Sequence, residues 1–490
     1  MKTREFIPAS RRAVDNPQLQ AALKRAGGGF DSARLDAIEE LGEERWQELR
    51  ERARQIKEHT LENLDYYLEM LYNRVTANGG QVHFAADAQE ANEIISDLAL
   101  SRGAKTVTKS KSMVSEEMGL NHSLESMGIR SVETDLGEYI IQLADETPFH
   151  IVGPAIHKTK EDVSEVFAEK IDRPGLVEIE DLAEAARETL RDDLLQADMG
   201  ISGANFLVAE TGTLGIVTNE GNGRFCTSSP RIHVALTGME KVVPSLEDLA
   251  VFLRLLPRAA TGQRLTSYVS MVSGPRAPTE EDGPEEFHLV IVNNGRSRLL
   301  QDEKLRGALS CIRCGACLNI CPVYRKVGGH AYGWVYPGPI GAVIDPVLVG
   351  LDEAKDLPFA SSLCGACREV CPVKINLPHM LLTLRSRLME GDEESRGKAT
   401  FMDSTMGHGY RMLMSAPKIM SLARRVGRMT QMAVARKGWI RKLPLPPFDR
   451  WTRSRDMKAI PKESFREIWD RELSKEGTPR SREGPKGGRS

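Results

Sequence analysis

The pattern of apolar and polar positions divides the chain into zones of different secondary structure. In residues 1–75, apolar side chains recur at spacings of three and four, which predicts helices that pack one face against a core. The stripe runs from Trp46 to Val75 and predicts one long helix there. Residues 76–295 instead alternate short β-branched runs with helical stretches. That order is typical of a mainly parallel sheet covered on both faces.

Seven runs in the second zone predict strands. They read QVHFAA, AKTVTKS, PFHIVG, NFLVAE, LGIVTN, RIHVALTG and FHLVIVNN. The intervening helices include DAQEANEIISDLALSR, for which Asp87 is a suitable N-cap, and IEDLAEAARETLRDDLL. The sequence therefore predicts an α/β domain over residues 76–295, preceded by an N-terminal helical segment.

The character of the chain changes twice after this zone. Residues 296–395 contain seven of the eight cysteines, set between helical pieces. Residues 396–476 form a basic, Met-rich C-terminal region, and residues 477–490 have the composition of a disordered tail. From residue 401 onwards, 21 Lys and Arg oppose 9 Asp and Glu, although the whole chain has a net charge of −3. The rest of the chain is therefore acidic.

The composition narrows the functional classes. A net charge of −3 argues against nucleic acid as the main partner. No apolar run approaches the ~18 residues of a transmembrane helix, and the N-terminus has no secretory signal, which predicts a cytoplasmic protein. In a reducing compartment, seven clustered cysteines indicate metal binding rather than disulfide bonds.

Two cysteine motifs have the spacing of bacterial ferredoxins. The first, CIRCGACLNICP, follows the order C-x2-C-x2-C-x3-C-P, which is typical of iron–sulfur proteins. Three thiolates on one tight loop suit three corners of a cubane, whereas a zinc ribbon takes two cysteines from each loop. The second motif, SSLCGACREVCP, repeats the pattern, but Ser361 stands where the first cysteine is expected.

The two motifs together predict two iron–sulfur clusters, of the [4Fe-4S] type. In two-cluster ferredoxins the fourth cysteine of each motif binds the other cluster, so the ligand sets are crossed. Cluster 1 is predicted to bind Cys311, Cys314, Cys317 and Cys371. Cluster 2 is predicted to bind Cys321, Cys364 and Cys367.

Cluster 2 is one thiolate short in this assignment, at the position of Ser361. Three alternatives account for the missing thiolate. In the first, Ser361 binds the iron through its oxygen; in the second, water or a small ligand fills the open iron. In the third, the cluster is of the three-iron type. In a fourth alternative, Cys226 reaches in from the α/β domain. A free cysteine is usually a buried apolar side chain, which argues against this last alternative.

A Gly- and Asn-rich stretch, AETGTLGIVTNEGNGR at 209–224, is a second candidate site. Such a loop either cradles a carboxylate or phosphate through backbone N–H groups or forms a tight turn between strands. The polar side chains of interest in the first case are Glu210, Asn219, Glu220 and Asn222.

Several of these segments together resemble one protein family. In the α/β zone they are TKSKSM, ETDLGEYIIQL, FHIVGPAIH, AETGTLGIVTNEGNGRFC and PRIHVALTGMEKVVP. In the cysteine zone they are CIRCGACLNICPVYR and SSLCGACREVCPVKINLP. The chain resembles the lactate utilization protein B family over nearly its whole length. The resemblance implies a LUD domain, in the fold group of sugar-phosphate isomerases and CoA transferases. It also implies that three cysteines in the second motif are a feature of the family and not a defect of this chain.

The resemblance also implies a function. It suggests a non-catalytic electron-transfer component of a system that oxidises L-lactate to pyruvate without nicotinamide. The implied partners are two other lactate-utilization proteins, one rich in cysteine motifs and one with its own LUD domain. Two alternatives stay open. The chain is an enzyme that uses the open iron of cluster 2 as a Lewis acid on a hydroxy acid, or it is a LUD-domain sensor of a ligand or redox state.

Overall fold

The computed structural model describes residues 3–110, 112–391, 401–443, 452 and 455–473. The chain forms two compact units, Met1–Gly397 and Lys398–Ser490. The tail predicted at residues 477–490 lies outside the described residues.

The N-terminal segment is helical, as its apolar periodicity predicts. Its helices are α1 (Phe6–Val14), α2 (Pro17–Leu41), α3 (Glu43–Glu62) and α4 (Leu64–Ala77). The prediction of one long helix from Trp46 to Val75 is wrong, because Asn63 (φ −125°, ψ 35°) ends α3 and precedes α4. One residue outside helical geometry leaves the apolar spacing almost unchanged, so the periodicity does not reveal the break.

A six-stranded sheet forms the centre of the first unit. Its strands are β1 (Gln81–Ala85), β2 (Thr106–Ser110), β3 (Arg130–Glu133), β4 (Met199–Ser202), β7 (Ile232–Gly238) and β10 (Glu286–Val292). They lie in the order β1-β10-β7-β4-β2-β3, and every neighbouring pair is parallel. The predicted α/β fold class with a mainly parallel sheet is confirmed. The short strands β3 and β4 were not among the predicted ones.

Helices connect and cover the strands. They are α5 (Ala88–Ser101), α6 (Met113–Met118), α7 (Leu120–Ser126), α8 (Leu136–Leu143), α9 (Lys160–Lys170), α10 (Ile179–Gln196), α11 (Asn222–Ser228) and α12 (Leu246–Thr261). The predicted N-cap of α5 is confirmed, because the Asp87 carboxylate accepts a hydrogen bond from Glu90 N at 3.0 Å. Strand residues such as Val107 and Val234 are fully buried beneath these helices.

A smaller sheet packs beside the first. Its strands are β5 (Phe206–Val208), β6 (Thr213–Thr218), β8 (Val242–Val243) and β9 (Tyr268–Val272), in the order β8-β5-β6-β9. The predicted runs NFLVAE and LGIVTN therefore form an antiparallel pair here rather than strands of the parallel sheet.

The strand predicted for PFHIVG is absent, and residues 148–153 form a loop. His150 Nδ1 accepts hydrogen bonds from Val152 N (3.1 Å) and Gly153 N (3.3 Å). These bonds bind backbone groups locally that a strand would use for pairing. Of the apolar side chains in the run, Phe149 is buried and Ile151 and Val152 are half-buried, and none of them lies in a sheet.

The cysteine zone is mostly helical. Its helices are α13 (Arg296–Gln301), α14 (Ala316–Ile320), α15 (Tyr324–Val327), α16 (Gly338–Leu348), α17 (Ala366–Glu369) and α18 (Leu377–Glu390). Short 3₁₀ turns occur at Thr3–Glu5, Met239–Lys241, Arg306–Ser310, His330–Tyr332 and Leu357–Phe359. One apolar core runs through the N-terminal helices, the α/β layers and this zone, and includes Trp46, Phe206 and Leu318.

The described residues of the second unit form three α-helices, a π-helical turn and a small sheet. Its elements are α19 (Phe401–Ser415), α20 (Pro417–Gln431), β11 (Ala435–Arg436), β12 (Trp439–Ile440), β13 (Met457–Lys458), α21 (Phe465–Ile468) and a π-helical turn at Trp469–Leu473. The three strands pair antiparallel. Within the part of the chain that the structure describes, no helix has the length and apolarity needed to cross a membrane.

Candidate iron–sulfur site

The two cysteine loops adopt the same backbone conformation. Arg313 and Leu363, each one residue before a cysteine, have φ of 59° and 54°. Gly315 and Gly365, each one residue after that cysteine, have φ of 74° and 87° and are the N-cap residues of the short helices α14 and α17. A non-glycine residue with positive φ is uncommon because its Cβ crowds the backbone. The shared pair of positive φ values shows that the two motifs are similar in backbone conformation as well as in sequence.

Ser361 occupies in the second loop the position that Cys311 occupies in the first. Leu363 N donates to Ser361 Oγ at 3.1 Å, just as Arg313 N donates to Cys311 Sγ at 3.4 Å. The second motif therefore has serine at a matched position, with no shift of register between the loops.

The four cysteines predicted for cluster 1 surround one small cavity. They come from both motifs: Cys311, Cys314 and Cys317 from the first, and Cys371 from the second. All four thiols are free. Burial raises the pKa of Cys371 to about 11 and raises the pKa of Cys314 further. Thiols buried in this way lose their protons when a metal cation binds and replaces those protons.

The three cysteines predicted for cluster 2 form another group. Burial raises the pKa of Cys367 to about 12, and the neighbouring Cys321 and Cys364 raise it too. Cys321 and Cys367 are buried, but Cys364 is exposed. A hydrogen bond from the Ala366 backbone lowers the pKa of Cys364. In the first group Cys314 and Cys371 are buried and Cys311 and Cys317 are half-buried, whereas the second group reaches the surface through Cys364.

The geometry of the thiols suits clusters better than single ions. A tetrahedral zinc ion places each sulfur at ~2.3 Å, so its sulfurs lie close to one another. Among the described residues, the group whose ligand atoms all lie within 4.8 Å of one another is Glu146, His157 and His330, and it contains no cysteine. A cubane holds its sulfur ligands further apart. The sulfurs also accept backbone hydrogen bonds that favour thiolate, from Tyr324 N to Cys321 (3.5 Å) and from Ile375 N to Cys371 (3.4 Å).

Helix α3 supplies buried cations to this region. Arg50 donates to the Cys371 carbonyl from Nε (3.0 Å) and Nη2 (2.9 Å), and to the Glu369 carbonyl from Nη2 (2.7 Å). Lys57 donates to the backbone oxygens of Glu240 and Val242, and burial lowers its pKa to about 8. The sequence pattern identified α3 only as a packing helix. From sequence alone, a buried arginine or lysine cannot be distinguished from an exposed polar residue of an amphipathic helix.

The loop at residues 148–153 covers the first cysteine loop. His150 Nε2 lies 3.0 Å from Asn319 Oδ1, and burial lowers the pKa of His150 to about 4, so the ring is neutral at pH 7. A Cβ at Gly315 would lie 3.1 Å from His150 Cε1 and 3.2 Å from Val152 Cγ2. Glycine therefore serves both the positive φ and the close approach of this loop.

A larger cavity, of about 110 Å³, lies beside the first cysteine group. It adjoins the carboxyl ends of β3, β4 and β7, where Glu133, Gly203 and Thr237 line it. In open parallel sheets this edge is the usual place for ligands. Arg313 and Ile151 line both this cavity and the one that the cysteines surround.

A buried ion network joins the cavity to the cysteine loop. Arg296 donates to both carboxylate oxygens of Glu117 (2.8 Å each) and from Nε to Glu240 Oε2 (2.7 Å). Tyr336 donates to Glu117 Oε2 at 2.6 Å, and the Arg313 guanidinium lies over the Tyr336 ring, 4.4 Å from its centroid. Desolvation raises the pKa of Glu240, but the cations Arg296, Arg313 and Lys241 outweigh it and hold that pKa at about 2.

Charged side chains of both signs line the cavity. Burial and the nearby Arg313 lower the pKa of Lys241 to about 8. The carboxylates of Glu116, Glu133, Glu138 and Glu240 line the cavity together with the cations Lys241 and Arg313. Lys109 pairs with Glu116 and Glu133, and Arg296 pairs with Glu240.

The glycine-rich stretch at 209–224 is explained as a tight turn. It forms the β5–β6 hairpin and α11, with Gly212 at φ 68°. Its four polar side chains bind protein groups: Glu210 accepts from Leu246 N, Asn219 donates to Gln263, Glu220 accepts from Leu136 N and Asn222 donates to Thr134.

The structure does not support Cys226 as a ligand of cluster 2. Its Sγ lies 3.3 Å from Thr134 Oγ1 at the parallel sheet, and burial raises its pKa to about 12. The groups that influence this pKa are Thr134, Thr108, Asp135 and Glu133, none of them a cysteine. Cys226 is the buried apolar side chain that free cysteines usually are.

A parallel α/β sheet joined to paired ferredoxin-type loops defines an iron–sulfur protein. Comparison with protein families agrees with this class. Residues 68–292 match the LUD domain, and residues 307–375 match the 4Fe-4S dicluster domain. The cofactors of the chain are therefore iron–sulfur clusters.

Whole-chain similarity identifies the family. The chain is 46% identical to lactate utilization protein B of Bacillus licheniformis, over 97% of this chain and 98% of that one. It is 48% identical to the protein of that name from Geobacillus thermodenitrificans (91% and 92%) and 44% identical to that from Bacillus subtilis (94% and 95%). The chain belongs to the lactate utilization protein B family. A solved DUF162 family protein from Deinococcus radiodurans aligns at 12% identity and a TM-score of 0.28, over 47% of this chain and 98% of that one.

Proposed function

We propose that this chain is the iron–sulfur electron-transfer subunit of a system that oxidises L-lactate to pyruvate without nicotinamide. The observation that carries the proposal is the unequal exposure of the two cysteine groups. Cys314 and Cys371 are enclosed beside the α/β cavity, whereas Cys364 is exposed. A carrier needs one redox centre near its electron donor and another that its acceptor can reach. The family name supports lactate as the compound that is used.

The proposed ligand sets are crossed. Cluster 1 binds Cys311, Cys314, Cys317 and Cys371, and the cavity that these four line supports that set. Cluster 2 binds Cys321, Cys364 and Cys367. That set is supported because Cys321 and Cys364 lie close enough to Cys367 to raise its pKa. Ser361 stands at the fourth corner of cluster 2, in the position matched to Cys311.

The surrounding residues tune these centres. Iron–sulfur clusters supply reversible one-electron transfer, at potentials from roughly −700 to +450 mV that depend on ligands, hydrogen bonds and exposure. Arg50 holds the Cys371 carbonyl, and Lys57 places a buried cation that interacts with Cys311. Positive charge favours the more negative reduced state, so these two side chains raise the potential of the enclosed centre.

The proposal includes two partner proteins, one rich in cysteine motifs and one with its own LUD domain. Electrons leave or enter through the exposed centre. The surface near Cys364 supports this, because Arg368 and Glu369 are exposed and Phe359 is half exposed beside Arg385. A charged rim around an apolar contact is typical of transient electron-transfer interfaces.

The proposal is tested by separating cluster content from turnover. Anaerobically purified chain should contain about seven or eight irons, the sum of two three- or four-iron clusters. Both clusters should be reduced and reoxidised reversibly, and lactate-dependent dye reduction should require the two partners. Rapid lactate oxidation by the isolated chain would overturn the carrier function in favour of a Lewis-acid enzyme.

A further inference from the structure

Two histidines and a glutamate from separate parts of the chain lie together outside the cysteine groups. Glu146 and His157 lie on either side of the loop at 148–153, and His330 begins a 3₁₀ turn in the cysteine zone. One potential ligand atom from each of the three residues lies within 4.8 Å of the other two. His157 Nε2 lies 2.7 Å from Glu146 Oε2. Two imidazoles and a carboxylate are a ligand set that divalent transition metals bind in proteins.

The hydrogen bonds around this group are those of a supported metal site. His330 Nε2 lies 2.8 Å from the Thr147 carbonyl oxygen, which only accepts, so Nε2 carries the proton of the neutral ring and Nδ1 keeps its lone pair. Metal-binding histidines are usually oriented in this way, by donating the other ring N–H to a backbone carbonyl or a carboxylate. Glu146 Oε1 pairs with Lys158, which orients the carboxylate. A metal ion would displace the proton that His157 and Glu146 share.

An aromatic ring shields the group on one side. Phe149 stacks on the His157 ring, with centroids 4.6 Å apart, and meets the His330 ring edge-on at 4.9 Å. The His157 side chain is 11% exposed, whereas His330 is exposed. Shielding from water lowers the local dielectric constant and strengthens the attraction between a cation and a carboxylate. The group is therefore shielded at Phe149 and open to an incoming ion at His330.

Close backbone packing positions His330 in this group. A Cβ at Gly328 would collide with the Phe149 ring, and a Cβ at Gly329 would collide with the Phe149 carbonyl oxygen. The Tyr324 hydroxyl donates to the same carbonyl at 2.9 Å. The two glycines before His330 therefore let this segment lie directly against Phe149.

Zinc is the ion that this ligand set suits. Ca²⁺ and Mg²⁺ take oxygen ligands, and Cu(I) prefers thiolates and thioethers. Zinc accepts imidazole and carboxylate together, imposes little geometry of its own, and binds a given nitrogen and oxygen site more tightly than Fe²⁺ does. With three protein ligands it keeps a fourth position for water.

We propose that Glu146, His157 and His330 bind a zinc ion, with water in the fourth position. The ion joins the α/β domain, which supplies Glu146 and His157, to the cysteine zone, which supplies His330. It thereby fastens the loop at 148–153 over the first cysteine loop. The inference is independent of the proposed function, because it involves no cysteine and no electron transfer.

Zinc binding by the full-length chain with its iron–sulfur clusters tests the proposal. The anaerobically purified protein is dialysed against buffered zinc chloride, and bound zinc and iron are measured by mass spectrometry. About one zinc ion per chain should bind, as a single three-ligand site requires, and the iron content should not change. Zinc K-edge X-ray absorption should show nitrogen and oxygen at ~2.0–2.1 Å and no sulfur at ~2.3 Å, the distance for zinc in a cysteine motif.

Two glutamine variants remove a metal ligand but keep a hydrogen-bond donor. His330→Gln retains an amide N–H for the Thr147 carbonyl, and His157→Gln retains one for Glu146. Each should weaken zinc binding at least ~100-fold, because even a change beside a ligand costs ~10–100-fold. The matched control is His379→Gln, at an exposed histidine of the cysteine zone outside the group, and it should bind zinc like the original chain.

The outcomes separate this inference from the proposed function. Weaker zinc binding in both variants but not in the control, with nitrogen and oxygen ligands, supports the site. No zinc retained by the original chain, sulfur coordination, or equal zinc in all variants overturns it, and the three residues then form only a hydrogen-bonded group. If one variant does not fold, the other variant and the absorption spectrum of the original chain decide. Reversible reduction of the clusters is measured on the same samples, and the carrier function depends on that result alone.

Discussion

Replacing Arg50 with methionine should loosen the second cysteine motif and speed the loss of iron. Arg50 lies in α3, far along the chain from the cysteines, yet its guanidinium binds the carbonyls of Glu369 and Cys371. Cys371 is the residue that the second motif contributes to cluster 1 in our assignment. The perturbation therefore acts on the position of one proposed ligand without altering any cysteine.

The expected magnitude follows from the bonds that are lost. Methionine keeps the apolar stem but removes two hydrogen bonds of 3.0 and 2.9 Å to the buried Cys371 carbonyl and one of 2.7 Å to the partly buried Glu369 carbonyl. A hydrogen bond from a charged donor contributes ~1.5–3 kcal/mol, so two acceptors lose about 3–6 kcal/mol. Burial of the guanidinium, which lowers the pKa of Arg50, offsets part of this. We expect the free energy of unfolding to fall by about 3–4 kcal/mol.

Urea unfolding of the anaerobic protein, followed by far-UV circular dichroism, measures this loss from the shift in midpoint. Transfer of iron to an external chelator measures how the cysteine loop responds. Arg52→Met is the matched control on the same helix. Its side chain is 62% exposed and pairs with Asp248 at 3.2 Å, so it should cost only ~0–1 kcal/mol.

An Arg50→Met variant that unfolds at the midpoint of the Arg52→Met control would refute this reasoning. So would an unchanged rate of iron release despite the expected loss of stability. The first result would mean that the carbonyls find other donors, and the second that Cys371 does not hold a cluster that depends on this loop.

Three further variants test other parts of the structure. Ser361→Cys should complete the second motif, raise the iron content toward two four-iron clusters in colorimetric analysis, and shift the potential of cluster 2. Gly238→Ala should abolish stable folding or lower the melting temperature sharply, because its Cβ would meet Glu240 Oε2 at 2.1 Å and Arg296 Nε at 2.4 Å. The control is Gly28→Ala in α2, which has open space around it and should be neutral or stabilising. Burial lowers the pKa of His233 to about 3, so as the pH falls below ~6.5 this histidine is protonated in the unfolded chain before it is protonated in the folded one. Between pH 7 and 5 the free energy of unfolding measured in urea should therefore fall by ~2 kcal/mol more for the original chain than for His233→Gln.

The local features of the site could be predicted from sequence. The ligands within each motif are close together in sequence, so the two motifs and the serine at position 361 could be identified without knowing the fold. The parallel sheet was also predictable, because buried strands such as β7 and β10 are long β-branched runs. The four-residue strands β3 and β4 carry too few residues for their pattern to stand out.

The cavity could not be predicted, because its residues come from separate parts of the chain. Arg313 belongs to a cysteine motif, Lys241 to the turn after β7, and Arg296 to the start of α13. Each reads in sequence as an ordinary surface charge, and only the fold buries them together. The loop at 148–153 was predicted as a strand for a related reason. Its apolar residues are buried or half-buried against the core, and sequence cannot distinguish that packing from a place in a sheet.

The crossed ligand sets are the centre of this account, and electron paramagnetic resonance of two cysteine variants tests them most directly. Cys371→Ala and Cys364→Ala are purified anaerobically and reduced in parallel with the original chain. We expect Cys371→Ala to lose the signal of the cluster with four cysteines and to keep more of the other signal, although Cys371 lies in the second motif. Cys364→Ala should show the reverse. Loss of the same signal first in both variants would contradict the crossed assignment.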